Sequence, residues 1–243
     1  MEEELSKKEK IRLKHELERA RMEQGEKTKR LFFLVGGAVV VVVLGLLGWL
    51  FFQKPQTPQK PKPGREVADL GRQHVTDISG VTYNSNPPTS GAHFGVWAKA
   101  GTYSGVFSDG YLIHSLEHGY VILSYNCAGR QESEAFASAS AGMFSVAKLA
   151  DSKMSAFTPD NPPAQEIGLP ESFQSDACKQ LAGQLSSFLK EFDRVIVVPR
   201  PQMEHKIALT AWARIDTMDA FDEQEILSFI TTFHNAGPEK TAE

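Results

Sequence analysis

Residues 31–52 are 22 consecutive uncharged residues, chiefly Val, Leu, Phe and Gly. As a helix they extend about 33 Å, enough to cross the hydrocarbon core of a bilayer. A water-soluble fold has no place for a helix apolar on every side over that length, so the run predicts a transmembrane segment. Trp49, Phe51 and Phe52 at its far end fit an interfacial aromatic anchor. The run is longer than the roughly 7–15 apolar residues of a secretory signal, and no Ala-x-Ala-like site follows it, so it reads as an uncleaved signal-anchor.

The flanks set the expected orientation. Residues 1–30 carry ten Lys/Arg, five of them in the last 15 residues, against four in the 15 residues after the run. That bias places the N-terminus in the cytoplasm and the rest of the chain outside it, in a single-pass protein of the cell membrane. Residues 1–30 form a charged helix, with Glu3–Lys7 and Glu4–Lys8 at the favourable helical spacing. Residues 53–65, rich in Pro, Gln and Lys, make an extended linker.

The globular part is expected over residues 66–237, with 238–243 a disordered tail. From Glu66 onward the chain carries twelve Lys/Arg against 22 Asp/Glu. A surface this acidic excludes nucleic acid as a partner, because phosphates demand positive charge. Residues 66–110 are crowded with Gly, Pro and Asn, which predicts short strands and loops. The run 119–126 (Gly-Tyr-Val-Ile-Leu-Ser-Tyr-Asn) is a strand apolar enough to be covered on both faces. Helices follow at 131–152 and 175–192, separated by a four-proline surface loop at 157–170. Strands are expected at 194–199 and 207–215, joined by a connection short enough for a hairpin. A closing helix at 222–235 is capped by Asp222. The fold class is α+β: a small mixed sheet with packed helices, behind a transmembrane helix and a charged N-terminal helix.

The chemistry concentrates in His114-Ser115-Leu116-Glu117-His118. A spacing of four brings both imidazoles to one face of a helix, and neutral imidazole is the commonest protein metal ligand. A third histidine, His93, ends a loop stiffened by Pro87-Pro88 and turned by Ser90-Gly91. His93, His114 and His118, with Glu117 as ligand or acid–base partner, form the expected site for copper or zinc. Met203 and His205 are accessory soft donors that copper(I) would favour; otherwise they lie in an exposed turn. His74 and His234 receive no role, and His15 lies on the cytoplasmic side. Cys127 and Cys178 are read as a structural disulfide, with free thiols or thiolate ligands as alternatives.

His-x-x-Glu-His also matches an inverted zinc-protease pattern, in which Glu117 would be the catalytic base. That motif needs a long helix, and here Gly119 and a strand follow at once. No other catalytic residue is assigned. Three readings stay open: a tethered extracytoplasmic metal-binding module, a structural or envelope-assembly protein without metal, and a zinc-dependent hydrolase. The first implies a metal-handling or envelope partner besides the bilayer, and it makes the chain a binder more than an enzyme.

The run from Tyr83 through Pro87-Pro88-Thr89-Ser90-Gly91-Ala92-His93, then Trp97, Gly101-Thr102-Tyr103 and His114-Ser115-Leu116-Glu117-His118-Gly119-Tyr120-Val121, resembles the bacterial family catalogued as domain of unknown function 3105. The segment 199–212, with Ala208-Leu209-Thr210-Ala211-Trp212, is similar to it too. The resemblance covers residues 66–237 and implies a bacterial protein with one N-terminal span. It brings no activity with it, but it ties the His93 loop and the His114–His118 segment to one domain.

Overall fold

The computed structural model describes residues 7–52, 61–140, 154–163 and 168–240. The chain divides into two compact units, Met1–Lys60 and Pro61–Glu243. In the first, the charged leader and the apolar run form one continuous helix, α1 (Lys7–Phe52). Among the described residues it is the one helix long and apolar enough to cross a membrane. Its large apolar side chains point outward on every side, Phe32, Phe33 and Leu34 among them.

The second unit is built on a six-stranded mixed sheet. Its strands are β1 (Arg65–Glu66), β3 (Gly101–Thr102), β4 (Val121–Tyr125), β6 (Val195–Pro199), β7 (Ile207–Ala211) and β8 (Arg214–Met218), ordered β1-β8-β7-β4-β6-β3. A two-stranded parallel sheet pairs β2 (Trp97–Ala98) with β5 (Ala156–Phe157). The central strand β4 runs parallel to β6 and antiparallel to β7. Alternation sorts its side chains onto two faces. Val121, Leu123 and Tyr125 pack with Leu185, Phe188, Ile226, Phe229 and Phe233 in one core. Ile122 joins Phe94, Tyr103, Tyr111, Leu112 and Leu116 in the other. The sheet is thus covered on both sides, as the unbroken apolar run predicts.

The helices are α2 (Asp109–Glu117), α3 (Arg130–Ser140), α4 (Asp176–Ser186) and α5 (Glu223–Phe233). Asp222 caps α5, its Oδ1 accepting from the amides of Gln224 and Glu225 at 3.0 and 3.1 Å. The helix expected over 175–192 ends as α-helix at Ser186 and tightens into a 3-10 turn over Ser187–Lys190. Of the helix expected over 131–152, the part from 141 onward lies outside the described residues.

Several expectations need correction. The strand expected over 207–215 is a hairpin: the chain turns at Trp212-Ala213 and returns as β8. No Asn-Gly or Asp-Gly announces the turn. Ala213 takes φ 55 instead. Tertiary bonds hold it there, Ala213 N–H donating to Thr89 at 3.1 Å and Val67 N–H to the Ala213 carbonyl at 3.0 Å. Strands β6 and β7 are not hairpin partners either, because β4 lies between them and takes a neighbour on each edge. The loop expected over 157–170 gives up its first residue to the core: Phe157 packs at 5.2–5.7 Å from the rings of Tyr103, Phe107 and Tyr111. The tail is docked as far as it is described, with Glu239 N–H donating to the Glu117 carbonyl at 3.1 Å.

Cys127 and Cys178 form a disulfide with Cα atoms 5.7 Å apart, 51 residues apart in sequence. It ties the exit of β4 to the first turn of α4. Cys178→Ser is expected to cost roughly 2–4 kcal/mol, the usual range for a bond closing a long loop. Urea unfolding of wild type with and without reductant, beside the variant, checks this. A variant as stable as the oxidised wild type would refute it.

Candidate metal centre

Helix α2 presents the site. Ser108 caps its start, Oγ accepting from Gly110 N–H at 3.3 Å. Ser115 is spent on architecture: its Oγ donates to the Ala98 carbonyl at 2.8 Å and accepts from Ala98 N–H at 3.1 Å, which fixes α2 against β2. The helix ends in a Schellman turn. Gly119 N–H donates to Leu116 and Tyr120 N–H to Ser115, at 3.0 and 3.1 Å. Gly119 supplies the required positive φ of 84. The last turn is also bonded from outside, Arg194 Nη1 donating to the His118 carbonyl at 2.7 Å. His114, Glu117 and His118 are therefore carried on a short helix fixed at both ends.

His93 arrives from the loop before β2. Gly91, at φ 123, turns the chain where a Cβ would meet the Tyr83 ring at 3.1 Å. The Tyr83 hydroxyl in turn donates to the Ala92 carbonyl at 2.7 Å. A strap over residues 71–75 pairs with this loop in parallel. Gly91 N–H donates to Gly71, His93 N–H to Gln73, and Val75 N–H to His93, at 2.8–3.0 Å. That pairing sets His74 beside His93, their ring centroids 4.8 Å apart.

His74, His93, His114 and Glu117 form a group that could hold a metal ion, with one donor atom from each lying within 4.8 Å of the others. His93, His114 and Glu117 are buried, whereas the His74 side chain is 50% exposed. Hydrogen bonds to backbone carbonyls orient two of the rings. His93 Nδ1–H donates to the Gly91 carbonyl at 2.7 Å, and His114 Nδ1–H to the Phe94 carbonyl at 2.6 Å. A carbonyl only accepts, so Nδ1 carries the proton in both and Nε2 of each neutral ring is a bare lone pair. Burial keeps both rings neutral. It lowers the His93 pKa, and it takes His114 down to about 3, with His118, His93 and His74 adding to that fall.

Neutrality makes the next contact informative. His93 Nε2 lies 2.8 Å from Glu117 Oε2, and His74 Nε2 lies 3.4 Å from the same oxygen. A bare imidazole nitrogen and a carboxylate oxygen repel unless a proton or a metal ion lies between them. Arg72 Nη1 approaches the other oxygen, Glu117 Oε1, at 3.6 Å.

His118 stands beside the group and outside it. Its Nε2 is 3.2 Å from His114 Nε2 and 3.8 Å from Glu239 Oε2. Since His114 Nε2 is the acceptor, His118 Nε2–H is the donor in that contact. The Trp97 ring packs on His118 and His114 at 4.8 and 5.3 Å.

Sequence spacing points to His93, His114, His118 and Glu117; the structure brings His93, His114 and Glu117 into one group and leaves His118 beside it. Spacing misses His74, a lone histidine with no motif, which joins only through the parallel strap. The accessory donors are corrected. His205 is exposed and its Nδ1 sits 3.2 Å from Asp219 Oδ2. Met203 is buried, with its carbonyl accepting from Asn126 Nδ2 at 2.7 Å. Both lie beyond the Tyr125 end of β4, whereas Glu117 and His118 lead into its Val121 end. A strand of that length separates the two places by roughly 15 Å.

No curated protein and no solved structure matches this chain at a significant level. A family model does, over residues 74–159 and 171–243. Its first block begins at His74 and holds all four members of the donor group, and its second runs past Glu239. The chain therefore belongs to the family described as protein of unknown function (DUF3105).

Proposed function

We propose that this domain binds one divalent transition-metal ion, zinc or copper(II), through His74, His93, His114 and Glu117. The observation that carries the reading is the convergence of one donor atom from each of these four residues within 4.8 Å, three of the residues buried, with His93 Nε2 turned to Glu117 Oε2 at 2.8 Å. A cation held among them satisfies these donors at once. Three nitrogens and one carboxylate suit a borderline ion. The soft copper(I) set is set aside, since Met203 and His205 lie elsewhere.

Donors on one tetrahedral ion at about 2.0–2.2 Å are about 3.3–3.6 Å apart, so a group whose donor atoms lie within 4.8 Å of one another closes by up to about 1 Å on binding. The half-exposed His74 is the member freest to move. A second ligand set has its own support. The 3.2 Å between His114 Nε2 and His118 Nε2 is close to the roughly 3.3 Å between two nitrogens on a tetrahedral ion, so with its proton moved to Nδ1 His118 replaces His74 in that set.

We place the domain outside the cytoplasm, tethered by α1 as a signal-anchor. The Cys127–Cys178 disulfide supports an oxidising compartment, and the excess of Lys/Arg before the apolar run supports an inward N-terminus. The reading is that of a tethered binding module that buffers or delivers its ion.

Elemental analysis of the full chain, purified in detergent and dialysed against zinc or copper, tests the proposal. About one equivalent is expected in wild type, with loss in His93→Ala and His114→Ala. His74→Ala should weaken binding roughly tenfold or more and His118→Ala much less. The reverse order would assign the second ligand set. Equal, substoichiometric metal in wild type and His93→Ala would end the metal reading.

A further inference from the structure

Resting on that metal reading, we propose that the ion takes, as a fifth and exchangeable ligand, a small, singly charged oxyanion, of which a carboxylate is the type, received by Arg72. Solvent meets the site on one side. The side chains of His93 and Glu117 are 0% and 3% exposed, whereas those of His74 and Arg72 are 50% and 56% exposed. A ligand approaching the ion passes between these two.

The Arg72 guanidinium is largely unused. Its 3.6 Å contact with Glu117 Oε1 is too long for a hydrogen bond, and among the described residues it makes no other polar contact. Its five N–H donors form a planar fork that matches two oxygens of one anion. Metal at Glu117 Oε2 neutralises the carboxylate that now attracts Arg72, which frees the guanidinium to pair with an incoming charge. A cation at this mouth stands out on a domain with twelve Lys/Arg against 22 Asp/Glu. Beside it, an open cavity of about 530 Å³ is lined by His74, Val75, Thr76, Asp77 and Gly95. It has room for a small ligand, and the Asp77 carboxylate sets it against a highly charged one.

The test uses the full chain in detergent, loaded with cobalt(II), whose visible bands report its ligands. Acetate is titrated first, then neutral imidazole. Acetate is expected to shift the bands in wild type. Arg72→Gln is expected to need about tenfold more acetate, with cobalt stoichiometry and imidazole affinity unchanged. Cobalt bound with equal acetate affinity in both proteins overturns this inference and leaves the metal reading standing. Parallel weakening for acetate and imidazole also overturns it, because Arg72 would then only support the site. Failure to take up cobalt overturns both.

Discussion

Lowering the pH of the metal-free protein from 7 to 4 is expected to remove about 3 kcal/mol of stability through His114 alone. The folded state holds this imidazole neutral down to about 3, against 6.5 for a free histidine. Between those values the unfolded chain binds a proton that the folded chain refuses. The stabilisation is therefore complete above pH 6.5 and drains away as the pH falls toward 3. His93, lowered by its own burial, acts in the same direction and carries the total higher.

Metal binding by the folded chain follows the lower value, because a protonated imidazole is no ligand: His114 stays available as a donor until the pH falls toward 3. Urea unfolding with chelator present, at pH 7, 5.5 and 4, measures the effect. His114→Gln, which keeps a polar group but cannot titrate, should flatten the curve. A wild-type loss matched in full by His114→Gln would show that other groups carry the acid sensitivity.

What could be read from the residues, and what could not, follows a physical line. The long apolar helix, the two-faced strand β4, the Asp222 cap and the meeting of His114 with His118 are local: spacing, runs and single caps specify them. The pairing of β4 with β7 and β6 is not local. It depends on which edges of the sheet need a neighbour, and a seven-residue connection from Arg200 to Lys206 permits a hairpin as readily as the crossing that occurs. The turn at Trp212-Ala213 has no turn-forming sequence, because the Thr89 carbonyl and Val67 amide impose it from outside.

His74 teaches the same lesson at the site. It enters through a parallel strap whose backbone bonds to the His93 loop leave no mark in composition. Glu117 is legible as a donor from its place in the motif, yet its partners are not. Only the folded loop shows that it faces His93 and His74, with Arg72 behind, and leaves His114 to His118.

Gly119→Val is expected to give the largest loss of any single substitution near the site, roughly 4 kcal/mol or more, together with loss of metal. Two costs combine. A β-branched residue at φ 84 is strained by about 1–3 kcal/mol. A Cβ at this position would also meet the backbone of Asn235 at 2.9–3.0 Å and Gly237 N at 3.0 Å. Backbone on both sides leaves no side chain that can swing clear. Relief requires either unwinding the last turn of α2, which carries Glu117 and His118, or pushing off the tail, which breaks the bonds from Asn235 N–H to Gly119 at 2.9 Å and from Glu239 N–H to Glu117. Either route shifts the carboxylate that closes the donor group. Gly129→Ala is the control, since nothing lies within 4 Å of a Cβ there. Thermal melts with and without zinc separate the outcomes. A Gly119→Val protein that melts near wild type and keeps its zinc-induced stabilisation would show that the end of α2 tolerates a shift that this packing forbids.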